Sequence, residues 1–437
     1  MKYYNNYIIV ILLLALVLNW VVDGSSFMDK ASMNLGLMPK FTIIVIEILQ
    51  ALVILRILLF HYKNNFIMKT VFAVTVFCIF EFVVLKAMNA SILIWISGIR
   101  YYFSFFPLFI LSYLLAIKGY SITREFKWLI ILILIQIPVT IYQFFNTSSV
   151  YLDNIRQPVF DMISGTMGGN ASNLLSLVLG IGLLYFLIKF VEDKKLIFLF
   201  LSIALLVPPL LAEAKGMLIL IIIALLYLAL IFKFSFSRLL VLGVLATFLI
   251  IGFTYVYSLL GYAKELSVSY LIDYTSGESG KGRLSRIDSV VHSFNLLFQN
   301  DALLFGIGIG NSNKSPLGQD GQFYDFFTVR HSLDILITET GLMGLTIFTI
   351  ILGKLISISK KLLASGEFIR DKDNLVITKV FLGTILFFIF GLGWVDVLFR
   401  VQFMYPFGMM AGYIIGLYHK IQITQKERVA TYYHLQT

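Results

Sequence analysis

Charged residues are scarce in this chain of 437 residues, and their scarcity excludes an ordinary soluble domain. Only 13% of the residues are charged, about half the share usual in soluble proteins, whereas 59% are hydrophobic. Several apolar runs are long enough to cross a bilayer. The composition therefore predicts an all-α, polytopic integral membrane protein.

Cysteine is nearly absent as well. The single cysteine, Cys78, lies within an apolar run, so the chain can form neither an intrachain disulfide nor a cysteine-based metal site. No nucleotide-binding glycine loop, metal-ligand cluster or serine nucleophile motif stands out. Asp371-Lys372-Asp373 resembles an acidic metal motif, but it lies in a highly charged connection and is interpreted as a solvated segment. We predict neither a metal nor a cofactor.

The charge that is present is mainly positive, with a formal net charge of +10 at pH 7. A basic protein is a candidate for binding nucleic acid. Here, however, the basic residues lie mostly between apolar runs, where the preference of cytoplasmic loops for lysine and arginine explains them. We therefore do not expect a nucleic-acid partner.

The apolar runs predict about twelve membrane helices. Their positions are 7–22, 41–60, 68–88, 101–117, 128–145, 171–190, 196–212, 217–232, 239–260, 333–353, 376–395 and 403–418. No small-residue cleavage site follows the first run, so it is interpreted as a retained span and not a signal peptide. Pro208-Pro209 interrupts the seventh run and predicts a kink or break in that helix.

The basic connections set the predicted topology. Residues 1–260 hold spans one to nine, 261–332 form a large extracytoplasmic loop, 333–418 hold spans ten to twelve, and 419–437 form a cytoplasmic tail. The shorter loop 146–170 is also placed outside. Both termini are predicted to be cytoplasmic.

The interval from Gly280 to Leu345 is a long polar stretch that also carries structure and charge. Apolar residues recur there at helical spacing and predict an amphipathic helix, whose apolar face needs a core or a bilayer surface. The stripe consists of Leu284, Ile287, Val291, Phe294 and Phe298. Arg283 and Arg286 flank it.

Three glycines alternate in the segment LFGIGIGN, residues 304–311. Glycine lets the backbone pass close to a neighbour or a ligand. Ser312 follows in the same loop, and a cysteine at that position is expected to be accessible to an impermeant thiol reagent. Arg330 and His331 then stand at the start of the next apolar run.

This arrangement resembles the bacterial O-antigen ligase and O-antigen polymerase superfamily of integral-membrane glycosyltransferases. The resemblance lies in the arginine-bearing amphipathic helix, the LFGIGIGN segment, and His331-Ser332 followed by ETGLMGL at the opening of a membrane helix. The family usually has Asn where this chain has Ser332, and a Ser-Arg-Gly-like turn where it has residues 213–216. The resemblance implies a GT-C-like helical bundle in the bacterial inner membrane, with an extracytoplasmic active site.

An active site outside the cytoplasm restricts the donor, because nucleotide sugars are cytoplasmic. A sugar linked to polyprenyl diphosphate, already carried across the membrane, fits this location. Its transfer needs cations for the departing diphosphate, a base for the acceptor hydroxyl, and a groove among the membrane lipids for two amphiphilic substrates.

Three cations and one histidine are the main candidates for this chemistry. Arg283 and Arg286 project within about 60° of each other on a helix, and arginine carries the forked donors that suit phosphate oxygens. Lys215, at the predicted outer tip between spans seven and eight, could add a further charge. Each of these cations, taken singly, is equally explained by contacts with lipid headgroups or by solvation of the loop. The family resemblance favours the arginines as diphosphate ligands and His331 as the catalytic residue, since imidazole is readily used as a base near neutral pH.

Further polar residues are candidates for supporting roles. They are Arg330, Glu339, Arg156 and Asn170. Glu339 comes about two helical turns after His331 and is expected to orient a partner or pair with an arginine. Asn170 ends a glycine-rich segment that resembles the family's entry to the sixth span, where it would meet sugar hydroxyls or cap the helix. Asp334 is an ionisable residue inside an apolar run, and such residues usually face a bundle interior or a cavity.

The leading interpretation is a polymerase that moves a glycan from its polyprenyl diphosphate onto the sugar of another lipid-linked repeat unit. The resemblance leaves open a ligase that moves the finished chain to lipid A core or another acceptor. A transporter or flippase is a third interpretation, which the absence of an internal repeat disfavours. A polymerase would work beside a chain-length regulator and a flippase of the same pathway.

Overall fold

The computed structural model describes most of the chain. It covers residues 2–18, 38–61, 64–146, 149–152, 155–158, 163–167, 171–212, 214–232, 286–313, 319–326, 331–365 and 371–434, with a few isolated positions between 247 and 258. These residues are helical apart from connections and one short hairpin. Three of the candidate residues, Asn170, Arg283 and Arg330, lie outside the described residues.

The helices are numbered here in chain order. The first six are α1 (Lys2–Leu13, continued by a π-helical turn Leu14–Leu18), α2 (Met38–His61), α3 (Asn65–Ala87), α4 (Ile92–Phe103), α5 (Phe106–Ile117) and α6 (Thr123–Asn146). The next four are α7 (Ser172–Asp193), α8 (Leu196–Ala204), α9 (Val207–Leu211) and α10 (Gly216–Ile231). The last four are α11 (Arg286–Gln299), α12 (Ser332–Ala364), α13 (Lys372–Leu392) and α14 (Val401–His434). Short 3-10 turns lie at Tyr324–Phe326 and Val397–Phe399.

Six helical segments of the described chain are long and apolar enough to span a membrane. They are Asn65–Ala87, Ile92–Ile117, Thr123–Phe145, Ser172–Asp193, Ser332–Ala364 and Lys372–Leu392. Four shorter apolar helices accompany them, at Tyr4–Leu16, Ile48–His61, Leu196–Leu211 and Gly216–Ile231. The protein is thus a helical integral membrane protein. The full count of about twelve spans stays a prediction.

The predicted break at Pro208-Pro209 is confirmed. Helix α8 ends at Ala204, and α9 begins anew at Val207 with the prolines in its first turn. Proline has no amide hydrogen and is tolerated there, because the first amides of a helix have no intrahelical acceptor. The chain then turns and enters α10 at Gly216, with Lys215 at the turn.

Helices α5 and α14 run side by side in the same direction. Three glycines spaced four residues apart on α14 let the two backbones approach closely. A methyl group at Gly412 would lie 1.9 Å from the carbonyl oxygen of Phe109, and Gly408 and Gly416 meet Phe105 and Tyr113 in the same way. Small residues replace hydrophobic bulk at this contact, as is usual where membrane helices pack tightly.

Helix α12 is interrupted at Gly341, whose φ of 61° and ψ of −162° leave the helical region. The interruption frees backbone groups, which the loop around Gly306 takes up. Ile307 and Gly308 donate to the carbonyl oxygens of Thr338 and Glu339, at 3.0 Å each. Leu342 and Met343 in turn donate to the carbonyl oxygens of Leu303 and Leu304, at 3.1 and 3.0 Å. Non-helical backbone is tolerated within an apolar bundle where protein satisfies its hydrogen bonds in this way.

A loop beside this bundle is held by two glutamines of α6. Gln143 Oε1 accepts from the amide of Gly165 at 2.8 Å, and Gln136 Oε1 accepts from the amide of Thr166 at 2.8 Å. Before this loop, strands Ser149–Leu152 and Ile155–Pro158 form an antiparallel hairpin. Arg156 lies on its second strand, opposite Tyr151.

We expect Gly341→Ala to destabilise the protein. An added methyl would lie 2.6 Å from backbone atoms of Leu304 and Gly306, and the φ/ψ region is one that only glycine occupies readily, at a cost of about 1–3 kcal/mol for other residues. Thermal unfolding of the purified protein in a fixed detergent should show a lower midpoint. Gly353→Ala is the matched control, because Gly353 lies in the same helix with no heavy atom within 4 Å of an added methyl. Equal midpoints for the two variants would contradict the strain argument.

Candidate active site

His331 and Asp334 form a buried pair at the first turn of α12. His331 caps the helix, and its Nδ1 lies 3.0 Å from Asp334 Oδ2. The i,i+3 spacing places both side chains on one helix face. Ser289 of α11 donates its hydroxyl hydrogen to the same carboxylate oxygen at 2.5 Å. His331 is only 2% exposed and Asp334 is fully buried, so both side chains belong to the interior of this end of the bundle.

Arg286 completes the arrangement from α11. Its Nε lies 3.2 Å from His331 Nε2, and a guanidinium nitrogen can only donate. Nε2 therefore offers its lone pair, which leaves the ring hydrogen on Nδ1, where it is donated to Asp334. The hydrogen-bond network thus describes a neutral imidazole whose basic nitrogen faces an arginine.

Trp394 supports Arg286 from the other side. The guanidinium carbon lies 3.7 Å from the centre of the Trp394 ring, and Nη2 is 3.4 Å from the Trp394 carbonyl oxygen. The indole Nε1 donates to Asn173 Oδ1, at 3.1 Å, near the start of α7. Stacking on an aromatic face suits arginine because its guanidinium is planar and weakly hydrated.

Lys215 is brought to the same end of the bundle. It precedes Gly216, where a methyl group would lie 2.8 Å from Trp394 Nε1. Arg286 contacts this tryptophan directly, and Lys215 is the neighbour of a residue that does. The two cations are 71 positions apart in the sequence. The structure thus groups His331, Arg286 and the turn that carries Lys215.

Ser332 ties the dyad to the segment between α13 and α14. Its amide donates to the carbonyl oxygen of Val395 at 3.0 Å, and its hydroxyl oxygen accepts from the amide of Leu398 at 2.8 Å. Ser332 thus has a structural role. It fixes the chain between Trp394 and Arg400 against the start of α12.

Glu339 lies further along α12 and accepts hydrogen bonds from the end of the glycine loop, residues 304–313. Its Oε1 accepts from the amide of Ser312 at 3.0 Å, from the Ser312 hydroxyl at 2.7 Å and from Asn313 Nδ2 at 2.8 Å. Of the two predicted roles, orienting a partner is the one that this geometry favours. The expected accessibility of Ser312 is wrong, because the side chain is fully buried in this contact.

The close backbone approach predicted for the glycine loop is confirmed. Gly306, Gly308 and Gly310 all have positive φ, at 74°, 88° and 87°. Each lies against a neighbouring backbone, of Glu339, Leu85 and Ile94 respectively. The neighbour is protein in all three cases, so these glycines build the support of the site.

Helix α11 does not bury its predicted apolar stripe, as a helix packed in a protein core would. Its buried residues are Ser289, Ser293, Leu296 and Leu297. The predicted apolar stripe instead lies largely at the surface, with Ile287 61%, Val291 52% and Phe298 63% exposed. Of the two surroundings predicted for this stripe, a bilayer surface therefore fits better than a protein core.

The acidic segment 371–373 forms the start of helix α13. Asp371 caps α13 by accepting from the amide of Asn374 at 3.2 Å and from its Nδ2 at 2.6 Å. In the described part of the chain, no three His, Cys, Asp or Glu side chains come together in a group that could hold a metal ion.

The arrangement can take a proton at His331 Nε2 and can present a guanidinium to an anion. Sequence reasoning missed Ser289 and Trp394, and gave Asp334 no partner. The i,i+3 spacings of His331 with Asp334, and of Arg286 with Ser289, were signals for a shared helix face.

No protein-family model matches the chain, and a search of curated proteins finds no match.

Proposed function

We propose that the protein is a polymerase of lipid-linked polysaccharide repeat units, acting outside the cytoplasm as a glycosyltransferase with a polyprenyl-diphosphate-linked donor. The observation that carries the proposal is the contact of Arg286 with the histidine of the His331–Asp334 pair. Through this contact, a cation that can bind an anion lies within hydrogen-bonding distance of a side chain that can act as a base. Glycosyl transfer from a diphosphate requires both, at neighbouring positions.

The proposed reaction is a single displacement at the anomeric carbon of the donor sugar. A hydroxyl oxygen of the acceptor sugar forms the new bond to that carbon, while its hydrogen passes to His331 Nε2. The bond from the anomeric carbon to the diphosphate oxygen breaks, and its electron pair leaves with the diphosphate. Arg286, together with Lys215, would neutralise the charge that develops on the leaving oxygens.

The contact of Arg286 Nε with His331 Nε2 gives this reaction an order. The lone pair that would accept the proton is occupied by the arginine in the structure. A bound diphosphate offers the guanidinium a stronger, doubly hydrogen-bonded acceptor than a neutral imidazole. Donor binding would therefore draw Arg286 from the ring and release the base, so that the acceptor is activated only when a donor is present.

Comparison of lipid-linked glycans in deletion and parent cells tests the proposed function. Loss of a polymerase should leave single repeat units transferred to the final acceptor, with no longer chains. Long chains that accumulate on polyprenyl diphosphate would instead indicate a ligase. Unchanged glycans on the lipid carrier and on the final acceptor would contradict both.

The proposed orientation can be tested by cysteine labelling. We expect Gln299→Cys, at the exposed end of α11, to react with an impermeant thiol reagent in intact cells or in spheroplasts. Lys360→Cys, exposed on α12 near its other end, should react only after the membrane is opened. The native Cys78 is buried and is replaced by alanine in both proteins. The reverse labelling pattern would contradict an extracytoplasmic site.

We expect turnover without a divalent metal, because arginine and lysine can neutralise the departing diphosphate. The purified protein, assayed with a lipid-linked donor and acceptor in excess chelator, should retain its activity. Loss of activity that magnesium or manganese restores would show that cationic side chains are insufficient.

A further inference from the structure

The carboxylate of Asp334 is held at one of its two oxygens. Oδ2 accepts a hydrogen bond from His331 Nδ1, at 3.0 Å, and another from the Ser289 hydroxyl, at 2.5 Å. Oδ1 is buried as well, but it has no hydrogen-bond partner among the described residues. A buried carboxylate oxygen without a donor is unfavourable, because it has lost its hydration and gained nothing in return. The His331–Asp334 pair therefore calls for one further donor.

Thr338 carries a hydroxyl donor on the same helix, four positions after Asp334. Residues at that spacing in an α-helix have Cβ atoms about 5–6 Å apart. Helical side chains lean toward the N-terminus of their helix, so the side chain of Thr338 lies over the turn that carries Asp334. Both residues are fully buried, and the Thr338 hydroxyl also has no hydrogen-bond partner among the described residues. An unpaired donor and an unpaired acceptor thus occupy adjacent turns of one helix face.

Thr338 differs in this respect from the other threonines of α12. Thr340, Thr346 and Thr349 each donate the hydroxyl hydrogen to the carbonyl oxygen four positions earlier, at 2.7, 2.7 and 2.8 Å. A helix offers that acceptor to any threonine in its interior. Because Thr338 does not use it, its hydroxyl is directed to a partner that is not the backbone of its own helix.

One water molecule would satisfy both unpaired atoms. No direct hydrogen bond joins Asp334 Oδ1 to Thr338 Oγ1. Buried waters typically make about two to four hydrogen bonds to polar groups that otherwise lack a partner. A water between these atoms would accept the hydroxyl hydrogen of Thr338 and donate one of its own hydrogens to the carboxylate. The donor that Asp334 calls for is then supplied by Thr338 through the water.

We propose that Thr338 is a positioning residue of the site, which holds Asp334 Oδ1 through one ordered water molecule. The proposal rests on the proposed function, in which His331 takes the proton of the acceptor hydroxyl. A carboxylate held at both oxygens cannot turn away from the imidazole. Oδ2 therefore stays aligned with Nδ1 while the ring gains its positive charge. Thr338 itself acts through Asp334 and touches none of the reacting atoms.

Transfer kinetics of three threonine variants test the positioning role. Thr338→Val replaces the hydroxyl by a methyl group of similar size. We expect it to lower kcat per folded molecule about tenfold and to leave the donor KM nearly unchanged, because the lost hydrogen bond supports charge that develops in the transition state. Thr338→Ser restores the hydroxyl and should return kcat to within about twofold of wild type. Thr340→Val is the matched control and should have a normal kcat, since the Thr340 hydroxyl donates to the Leu336 carbonyl of its own helix.

A high-resolution cryo-EM map of the full-length protein in nanodiscs tests the water without an assay of activity. We expect density for one water within hydrogen-bonding distance of both Asp334 Oδ1 and Thr338 Oγ1 in the wild-type protein. The same density should be missing from the Thr338→Val protein. A map that resolves other buried waters but none between these two atoms would overturn the bridge, as would a direct hydrogen bond between the two side chains.

The outcomes distinguish this proposal from the proposed function. If the wild-type protein transfers glycan, a normal kcat in Thr338→Val, or an equal loss in Thr338→Ser, would overturn the positioning role and leave the polymerase function standing. If the wild-type protein transfers none, the polymerase function fails and the positioning role with it, while the map still decides whether the water is present. If the valine variant does not fold, Thr338→Cys, whose thiol is a weak donor, takes its place. Its kcat should then be lower than that of Thr338→Ser, and equal values would overturn the positioning role.

Discussion

Replacing His331 by glutamine is expected to lower polymer formation about 10²–10⁴-fold per correctly inserted molecule. Glutamine keeps some hydrogen bonding but cannot take a proton from the acceptor hydroxyl. Since the proton moves only in the transition state, donor binding should be nearly unchanged. The comparison requires the amount of folded protein in the membrane, measured by size-exclusion chromatography of a tagged chain, alongside the rate of transfer.

His331→Ala separates this role from a structural one. If the histidine merely caps α12, glutamine should be tolerated and alanine should chiefly reduce the amount of folded protein. If the histidine is the base, both variants should fold and both should be slow. Near-normal transfer by His331→Gln would end the general-base proposal, whatever the behaviour of the alanine variant.

Arg286→Lys is expected to be almost as damaging, with donor use reduced about 10²–10³-fold. Lysine keeps the positive charge but loses the fork that binds two phosphate oxygens, the planar stack on Trp394, and the Nε hydrogen that faces His331. The measurement is transfer rate against donor concentration in folded protein. Arg56→Lys is the matched control, because Arg56 also lies over an aromatic ring, that of Tyr4, at 5.5 Å.

The control should retain normal donor use, since Arg56 is an exposed residue of α2 whose aromatic contact is with Tyr4. Unchanged donor use in Arg286→Lys would mean that charge alone suffices at this position. In that case the bidentate binding of diphosphate, and with it the release of the base by donor binding, would be wrong.

Sequence patterns selected residues that the structure brings together, but they did not identify the other side chains around them. Arg286 and His331 were selected from motifs 45 positions apart, and the structure brings them into contact. Trp394 could not be selected, because nothing local in the sequence links a tryptophan after α13 with an arginine at the start of α11. Contacts of that kind depend on how helices pack, which composition and periodicity do not encode.

The predicted helix boundaries were inaccurate for the same reason, because they depend on local sequence alone. The last apolar run was placed at 403–418, whereas α14 continues to His434, because charged residues end an apolar run without ending a helix. The break at Pro208-Pro209 was predictable, since proline acts on its own helix. The break at Gly341 was not predictable, because it depends on backbone hydrogen bonds to the loop at Leu303–Gly308, which is distant in the sequence.

The orientation of α11 couples the position of Arg286 to the surrounding membrane. Ser289 donates to Asp334 on the buried side of this helix, while Ile287, Val291 and Phe298 are exposed on its other side. In a helix that lies along the bilayer boundary, such side chains fix its depth, and Arg286 takes its height from them. His331 takes its height from α12, which crosses the membrane. Because hydrogen bonds join α11 to His331 and Asp334, a bilayer that shifts the depth of α11 would strain these contacts, and we expect the rate of the proposed reaction to depend on bilayer thickness.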